Sequence, residues 1–203
     1  MITRWDIITI GNLSRNRYWG ESDGRPVRPG ICTCTLVRGN GFCLLVDPSL
    51  ADQAQMAAEL DRRTGLKPEA VDTVFVTHHH GDHHFGLRHF PGARWCAAPG
   101  VADAINSTGK YANAVEPAQG SLFDGAVEIV PSPGHTPEQH SLRFYCDGLA
   151  VVVAGDAVMT REFWADRRGY FNSENSELAS RTIDALTALA DVIVPGHDNY
   201  FSV

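Results

Sequence analysis

Read for its alternation of apolar and polar side chains, the chain is a series of short apolar runs, interrupted by two stretches with a helical period. Residues 6–13 read as a first strand. Residues 31–37 and Phe42–Val46 are two more, joined through Gly39-Asn40-Gly41, a strong hairpin signal. Asp47-Pro48 ends this pair. Ser49 can cap the helix that follows, in which Leu50, Ala54, Ala57, Ala58 and Leu60 or Asp61 keep a helical period until Gly65 stops it. Residues 71–77 form an apolar run short enough to be a buried strand, and residues 93–98 form another, followed by a short helix at 99–105. In the second half, residues 122–127 read as a hairpin whose second arm continues through 128–130. Residues 141–146 and 149–154 flank a turn at Asp147-Gly148, 176–190 are helical with Leu178, Ile183, Leu186 and Leu189 near a 3.6-residue period, and 192–194 are a final buried strand. No linker or low-complexity segment divides the chain, so residues 1–203 are expected to be one domain. Strands grouped with flanking helices in each half predict sheets inside and helices outside, an α/β (α+β) class.

Composition narrows this little. With 203 residues, 43% hydrophobic and 20% charged, the chain can bury a sizeable core and is ordinary for a globular protein. The 24 acidic against 17 basic side chains give a net charge of −7, which disfavours non-specific nucleic-acid binding without excluding a local basic patch. Five cysteines, an odd number with one close pair at Cys32 and Cys34, suggest neither a disulfide framework nor a zinc ribbon; they read as small buried hydrophobes in a reducing cytoplasm. The N-terminus lacks the apolar core of a signal peptide, and no apolar run approaches the ~20 residues of a membrane helix, so the expected location is cytoplasmic, away from any membrane.

The chemistry sits where apolar strands end. Residues 71–76 run into Thr77-His78-His79-His80-Gly81-Asp82-His83-His84, placing five histidines and an aspartate at one strand end. Val151-Val152-Val153-Ala154-Gly155 runs into Asp156, Val192-Ile193-Val194-Pro195-Gly196 into His197, and Ile129-Val130-Pro131-Ser132-Pro133-Gly134 into His135. In three of these four a glycine directly precedes the metal-compatible side chain, where it lets the backbone approach closely. Rigid supports of this kind suit a multi-ligand metal site. A purification tag or a loose metal-binding tract would explain neither the interruption by Gly81 and Asp82 nor the three later strand ends.

Four of these features in order, His78-x-His80-x-Asp82-His83, Gly134-His135-Thr136-Pro137, Gly155-Asp156 and Pro195-Gly196-His197, resemble the metallo-β-lactamase superfamily. A closer likeness, through 82–87, 90–93, 151–156 and 190–203, is to short proteins of the metallo-β-lactamase domain-containing protein 1 kind. The resemblance implies a four-layer αββα sandwich with a binuclear site at one edge. His78, His80 and His135 would bind the first metal, Asp82, His83 and His197 the second, and Asp156 both. Phe85 departs from the family's usual glycine, so the loop shape there is expected to differ. His79, His84, His89 and His140 match no ligand position.

With imidazole and carboxylate ligands, two zinc ions are the expected cofactors, with iron or manganese as alternatives. Metals ~3.5–4 Å apart can hold a hydroxide that attacks an electrophilic carbonyl, with Asp82 orienting it and passing a proton to the leaving atom. The leading expectation is hydrolysis of a small ester, thioester, lactone or amide. A phosphodiesterase or ribonuclease is the alternative, followed by an iron-dependent oxidoreductase of the persulfide dioxygenase type, which uses one metal where every second-metal position is filled here. The long polar stretch 14–30 carries Arg15, Arg17, Arg25 and Arg28 with Tyr18 and Trp19, and can cover a small, anionic substrate. Arg17, Tyr18, Tyr170 and Tyr200 are its candidate contacts, the tyrosines as donors to a developing oxyanion. The length leaves no room for the inserted domain of β-CASP nucleases, the exosite arm of transfer-RNA 3′-processing enzymes, a flavodoxin-like domain or the helical extension of glyoxalase II. An end six residues after His197 leaves sheet edge that a homodimer would cover.

Overall fold

A computed structural model describes all 203 residues. The first half builds a six-stranded sheet, in spatial order, from β1 (Ile2–Thr9), β2 (Cys34–Gly39), β3 (Phe42–Val46), β4 (Thr73–Val76), β5 (Arg94–Ala97) and β6 (Glu116–Pro117). Strands β1 to β3 are antiparallel and β3 to β6 parallel. The parallel connections are made by α1 (Gln53–Thr64), by the short α2 (Gly81–His84) and by α3 (Pro99–Ser107). The second half builds another six-stranded sheet from β7 (Ser121–Leu122), β8 (Val127–Pro131), β9 (His140–Cys146), β10 (Leu149–Gly155), β11 (Val192–Pro195) and β12 (Phe201–Ser202). Here only β10 and β11 are parallel, joined through α4 (Arg161–Ala165) and α5 (Ser176–Thr187).

Alternation along the strands explains the layers. Leu44, Val46, Phe75, Val151 and Val153 point between the sheets into a core shared with Leu142 and Phe144. Their neighbours Leu45, Val74 and Val76 point outward onto Met56 and Leu60 of α1 and Val101 and Ile105 of α3. Val152 and Ile193 of the second sheet pack on Ile183 and Leu186 of α5. A strand covered on both faces has no polar side to show, which is why these central strands read as unbroken apolar runs. The result is the expected αββα sandwich, and no helix is long and apolar enough to cross a membrane.

Several expected boundaries moved. The first strand is Ile2–Thr9, earlier than 6–13, because Thr3 and Arg4 face solvent on an edge strand and hide its start from the apolar pattern. Helix α1 is capped by Asp52, whose carboxylate accepts from the Gln55 amide at 2.8 Å. Ser49 is buried instead, with its hydroxyl 2.8 Å from that of Thr9. Gly65 ends the helix in the left-handed region at φ 71°, as expected. Phe85 follows α2 with its side chain exposed, and its ring lies where any side chain on Gly81 would go.

Candidate metal centre and its cleft

The C-terminal ends of β4, β10 and β11 open at the same edge of the sandwich, the end of α/β strands where ligands usually bind. His78 follows β4 after Thr77, Asp156 follows β10 directly, and His197 follows β11 after Gly196. His135 arrives from the loop between β8 and β9. Close approach is what the glycines provide. A side chain on Gly196 would collide with the Asp156 carboxylate, and one on Gly134, at φ 133°, would collide with the Ala179 backbone in α5. The loop carrying His135 is clamped there, its carbonyl accepting from the Glu174 amide and that of Gly134 from Asn175.

Seven side chains meet in two groups: His78, His80, His135 and Asp156, and beside them Asp82, His83 and His197. Asp156 lies between the groups. Its Oδ2 is 3.3 Å from His135 Nε2 and 3.7 Å from His78 Nε2, while its Oδ1 is 3.0 Å from His83 Nε2 and 3.3 Å from His197 Nε2. His80 Nδ1 faces both His78 Nε2 at 3.1 Å and His135 Nε2 at 2.9 Å. Asp82 and His80 are half-buried where the other five are buried, and Asp82 Oδ2 is 3.5 Å from His197 Nε2.

The outer nitrogens explain why the inner ones converge. His83 Nδ1 donates to Asp47 at 2.8 Å, and His197 Nδ1 points at the Ile31 and Asn12 carbonyls at 2.9 and 3.1 Å. His78 Nδ1 lies 3.2 Å from the Thr77 hydroxyl, which itself donates to Asp47 at 2.7 Å. A proton fixed on Nδ1 leaves an Nε2 lone pair aimed inward. Lone pairs facing one another repel unless something electron-poor lies between them. His83 Nε2 and Asp156 Oδ1 are buried and make no hydrogen bond despite their proximity. Orphaned acceptors of this kind, with nitrogen and oxygen donors and no thiolate among them, fit divalent zinc, iron or manganese.

Electrostatics in the metal-free chain follow from burial and this crowding. Burial holds His78 well below its ordinary value, lowers His80, and takes His135 to about 4. Burial also works against charge on His83, but Cys32, Asp156 and Asp47 outweigh it and raise its pKa. At His197 Asp156 likewise prevails over burial. Burial would raise Asp156, yet His83 and His197 hold its carboxyl well below the usual range. The consequences for stability have opposite signs. Between about pH 4 and 6.5 the unfolded chain takes up protons that folded His78, His80 and His135 refuse, so stability falls on acidification. Above pH 6.5 the folded chain keeps protons on His83 and His197 that the unfolded chain has released, so stability falls again. The melting temperature of chelator-treated protein should therefore peak near neutrality, and a steady rise from about pH 4 to 9 would contradict these shifts.

A cleft of about 220 Å³ opens onto His80, Asp82, Asp156 and His197. Larger hollows of about 470 and 610 Å³ lie beside α1 and at the far hairpin turns, but none of the seven residues lines them, so chemistry and not size identifies the site. The candidate substrate contacts divide. Tyr170 lines the cleft, but its hydroxyl donates to the Arg15 carbonyl at 2.7 Å and so presents its ring, not a free donor. Tyr18 donates to Asp166 at 2.6 Å, Arg17 pairs with Asp23 at 2.7 Å, and Tyr200 packs edge-on against Trp5; none of the three lines the cleft. The walls come instead from Leu13, Ser14, Arg15, Gly30, Met159, Phe171 and Asn172. The long loop thus reaches the site at its two ends, through Ser14, Arg15 and Gly30. His79, His84, His89 and His140 stand outside both groups, with His84 bonded to Tyr111 and His89 to the Leu50 carbonyl.

The residue that pattern reading undervalued is Asp47. Its carboxylate is buried and accepts from the Thr77 amide, the Thr77 hydroxyl and His83. The signal was present, since Leu44-Leu45-Val46-Asp47 is a fifth apolar strand ending in a charged group beside β4.

The family model described as the metallo-β-lactamase superfamily matches residues 27–197. The chain is 36% identical over 118 residues to a hydroxyacylglutathione hydrolase of Xanthomonas axonopodis pv. citri, covering 56% of this chain and 41% of that one. It spans about two fifths of the length of the hydroxyacylglutathione hydrolases it matches. It is also 30% identical over 176 residues to metallo-β-lactamase domain-containing protein 1 of Xenopus laevis, covering 83% of this chain and 71% of that one. Among solved structures, a quorum-quenching N-acyl homoserine lactone lactonase superposes with a TM-score of 0.76 at 19% identity, over 99% of both chains. AidC, a dizinc quorum-quenching lactonase, superposes at 0.69 and 14% identity, over 83% of this chain and 72% of that one. With the motifs, the αββα sandwich and the matched family model in agreement, the chain belongs to the metallo-β-lactamase superfamily.

Proposed function

We propose that the protein is a binuclear zinc hydrolase of a small ester, thioester, lactone or amide. His78, His80 and His135 would hold one ion, Asp82, His83 and His197 the second, and Asp156 both. The observation that carries this reading is the Asp156 carboxylate, whose two oxygens each face a different pair of histidine nitrogens. Support for the substrate class comes from the hydroxyacylglutathione hydrolase and lactonase relatives, and for two zinc ions from the dizinc lactonase.

Bound zinc supplies Lewis acidity toward the substrate carbonyl and brings the pKa of coordinated water toward ~7. The chain's own residues do the rest. Asp82 faces the cleft, where it orients the attacking water and carries a proton to the leaving atom. Leu13, Met159 and Phe171 give the acyl part an apolar wall and exclude bulk water. Asp47, through Thr77 and His83, engages the outer nitrogens of His78 and His83 and turns their inner nitrogens toward the centre.

A panel of chromogenic esters, thioesters, lactones and bis-(p-nitrophenyl) phosphate tests the reading, together with metal analysis. Zinc-loaded protein is expected to cleave at least one carbonyl substrate, to lose that activity in chelator and to regain it with zinc. Turnover of the phosphodiester alone would overturn the substrate class. Activity that survives complete metal removal would overturn the mechanism.

A further inference from the structure

We propose that Arg15 selects the substrate by binding a carboxylate that the substrate carries in addition to its scissile bond. This inference deepens the hydrolase reading and rests on it. Of the four arginines in the 14–30 loop, Arg17 is paired with Asp23, Arg28 with Glu21, and Arg25 points into solvent. Arg15 alone lines the cleft, and it has no carboxylate partner.

Its guanidinium is held ready. The group lies over the Phe171 ring, 4.4 Å from the centroid, and one terminal nitrogen donates to the Asp23 carbonyl. The Tyr170 hydroxyl pins the Arg15 backbone. These contacts fix the plane of the guanidinium and leave its Nη2 amino group without a partner in the protein, while Nε is buried and unbonded. Nη2 offers N–H donors to a carboxylate entering the cleft, a charge-assisted pairing. A half-buried cation with unused donors is costly unless an anion completes it, and the chain supplies none. The anion therefore comes with the ligand. At about 220 Å³ the cleft is smaller than the ~300–1,000 Å³ typical of pockets for drug-sized ligands, so the substrate is short. A half-ester or half-thioester of a small dicarboxylic acid, or a lactone bearing a carboxylate, has this chemistry.

Calorimetric titration of the zinc-loaded protein with butyrate and with succinate, which differ by the second carboxylate, tests the site without turnover. Succinate should bind roughly tenfold more tightly. Arg15→Ala should abolish that preference, Arg15→Lys should keep part of it, and Arg17→Ala, on the same loop but outside the cleft, should keep all of it. An equal affinity for both acids, or an equal loss in Arg17→Ala, would overturn the assignment. Cleavage of mono-p-nitrophenyl succinate and p-nitrophenyl butyrate separates the two readings. If neither ester nor any other carbonyl substrate of the panel is cleaved but the succinate preference falls with Arg15→Ala, the hydrolase reading fails and Arg15 stands. If both are cleaved and Arg15→Ala treats them as wild type does, Arg15 fails and the hydrolase stands.

Discussion

Asp156→Asn should yield a protein that folds but retains less than one equivalent of zinc, with kcat/KM lower by about four orders of magnitude. The substitution keeps the volume of the side chain and removes its charge. In the wild type that carboxylate is buried against four histidine nitrogens, and it is the group common to both clusters. An amide offers one acceptor in place of two and brings donor hydrogens to face nitrogen atoms that bind metal only as acceptors. Each ligand group then loses its shared anion, and on the proposed binuclear reading two cations would lose the charge between them. Metal analysis alongside rate measurements checks this. A variant with wild-type zinc and wild-type turnover would remove Asp156 from the site.

Asp47→Ala is expected to act at a distance, and on two quantities at once. The carboxylate is buried and accepts three hydrogen bonds, from the Thr77 amide at 2.8 Å, the Thr77 hydroxyl at 2.7 Å and His83 Nδ1 at 2.8 Å. Leaving buried donors unpaired costs ~1–3 kcal/mol each, so urea denaturation of the metal-free variant should show about 3 kcal/mol less stability. Loss of an outer partner of a metal-binding histidine typically costs ~10–100-fold in affinity, and zinc competition should reveal a loss of that size. Asp47→Asn separates the two effects. Its amide oxygen can still accept from Thr77, but its NH₂ meets the His83 Nδ1 proton and drives that proton to Nε2, the nitrogen that faces the centre. Nitrogen-15 spectra of the histidines would report the tautomer directly. An unchanged tautomer with unchanged zinc affinity would show that Asp47 only supports the fold.

Much of this centre was legible in the sequence for a local reason. A strand buried on both faces is a continuous apolar run, so a histidine or aspartate immediately after it stands out, as at His78, Asp156 and His197. The elements that stayed hidden are those made by tertiary pairing. Glu116–Pro117 and Phe201–Ser202 are two-residue strands with no period of their own, and α4 spans only Arg161–Ala165. Ser49 and Asp52 both have the chemistry of a cap; the choice fell to Asp52 because Ser49 is used by Thr9, 40 residues earlier. The cleft was the least legible part. Arg15 and Arg17 are two positions apart in one polar loop, and only the path of that loop decides which of them faces the centre. Tyr18 and Tyr170 were misread as free donors because their partners, Asp166 and the Arg15 carbonyl, come from remote parts of the chain.

The division of the seven residues between two sheets has a bearing on how the protein matures. His78, His80, Asp82 and His83 are delivered by the first sheet, and His135, Asp156 and His197 by the second. During synthesis the early histidines leave the ribosome long before Asp156 exists, so the first group is incomplete until β10 has docked and the second until β11 has. On the proposed reading metal capture would thus come late, made by a sandwich already assembled, with the hydrogen bonds of Asp47 holding Thr77 and His83 in place for it. Once captured, an ion would rivet the two layers across their shared edge.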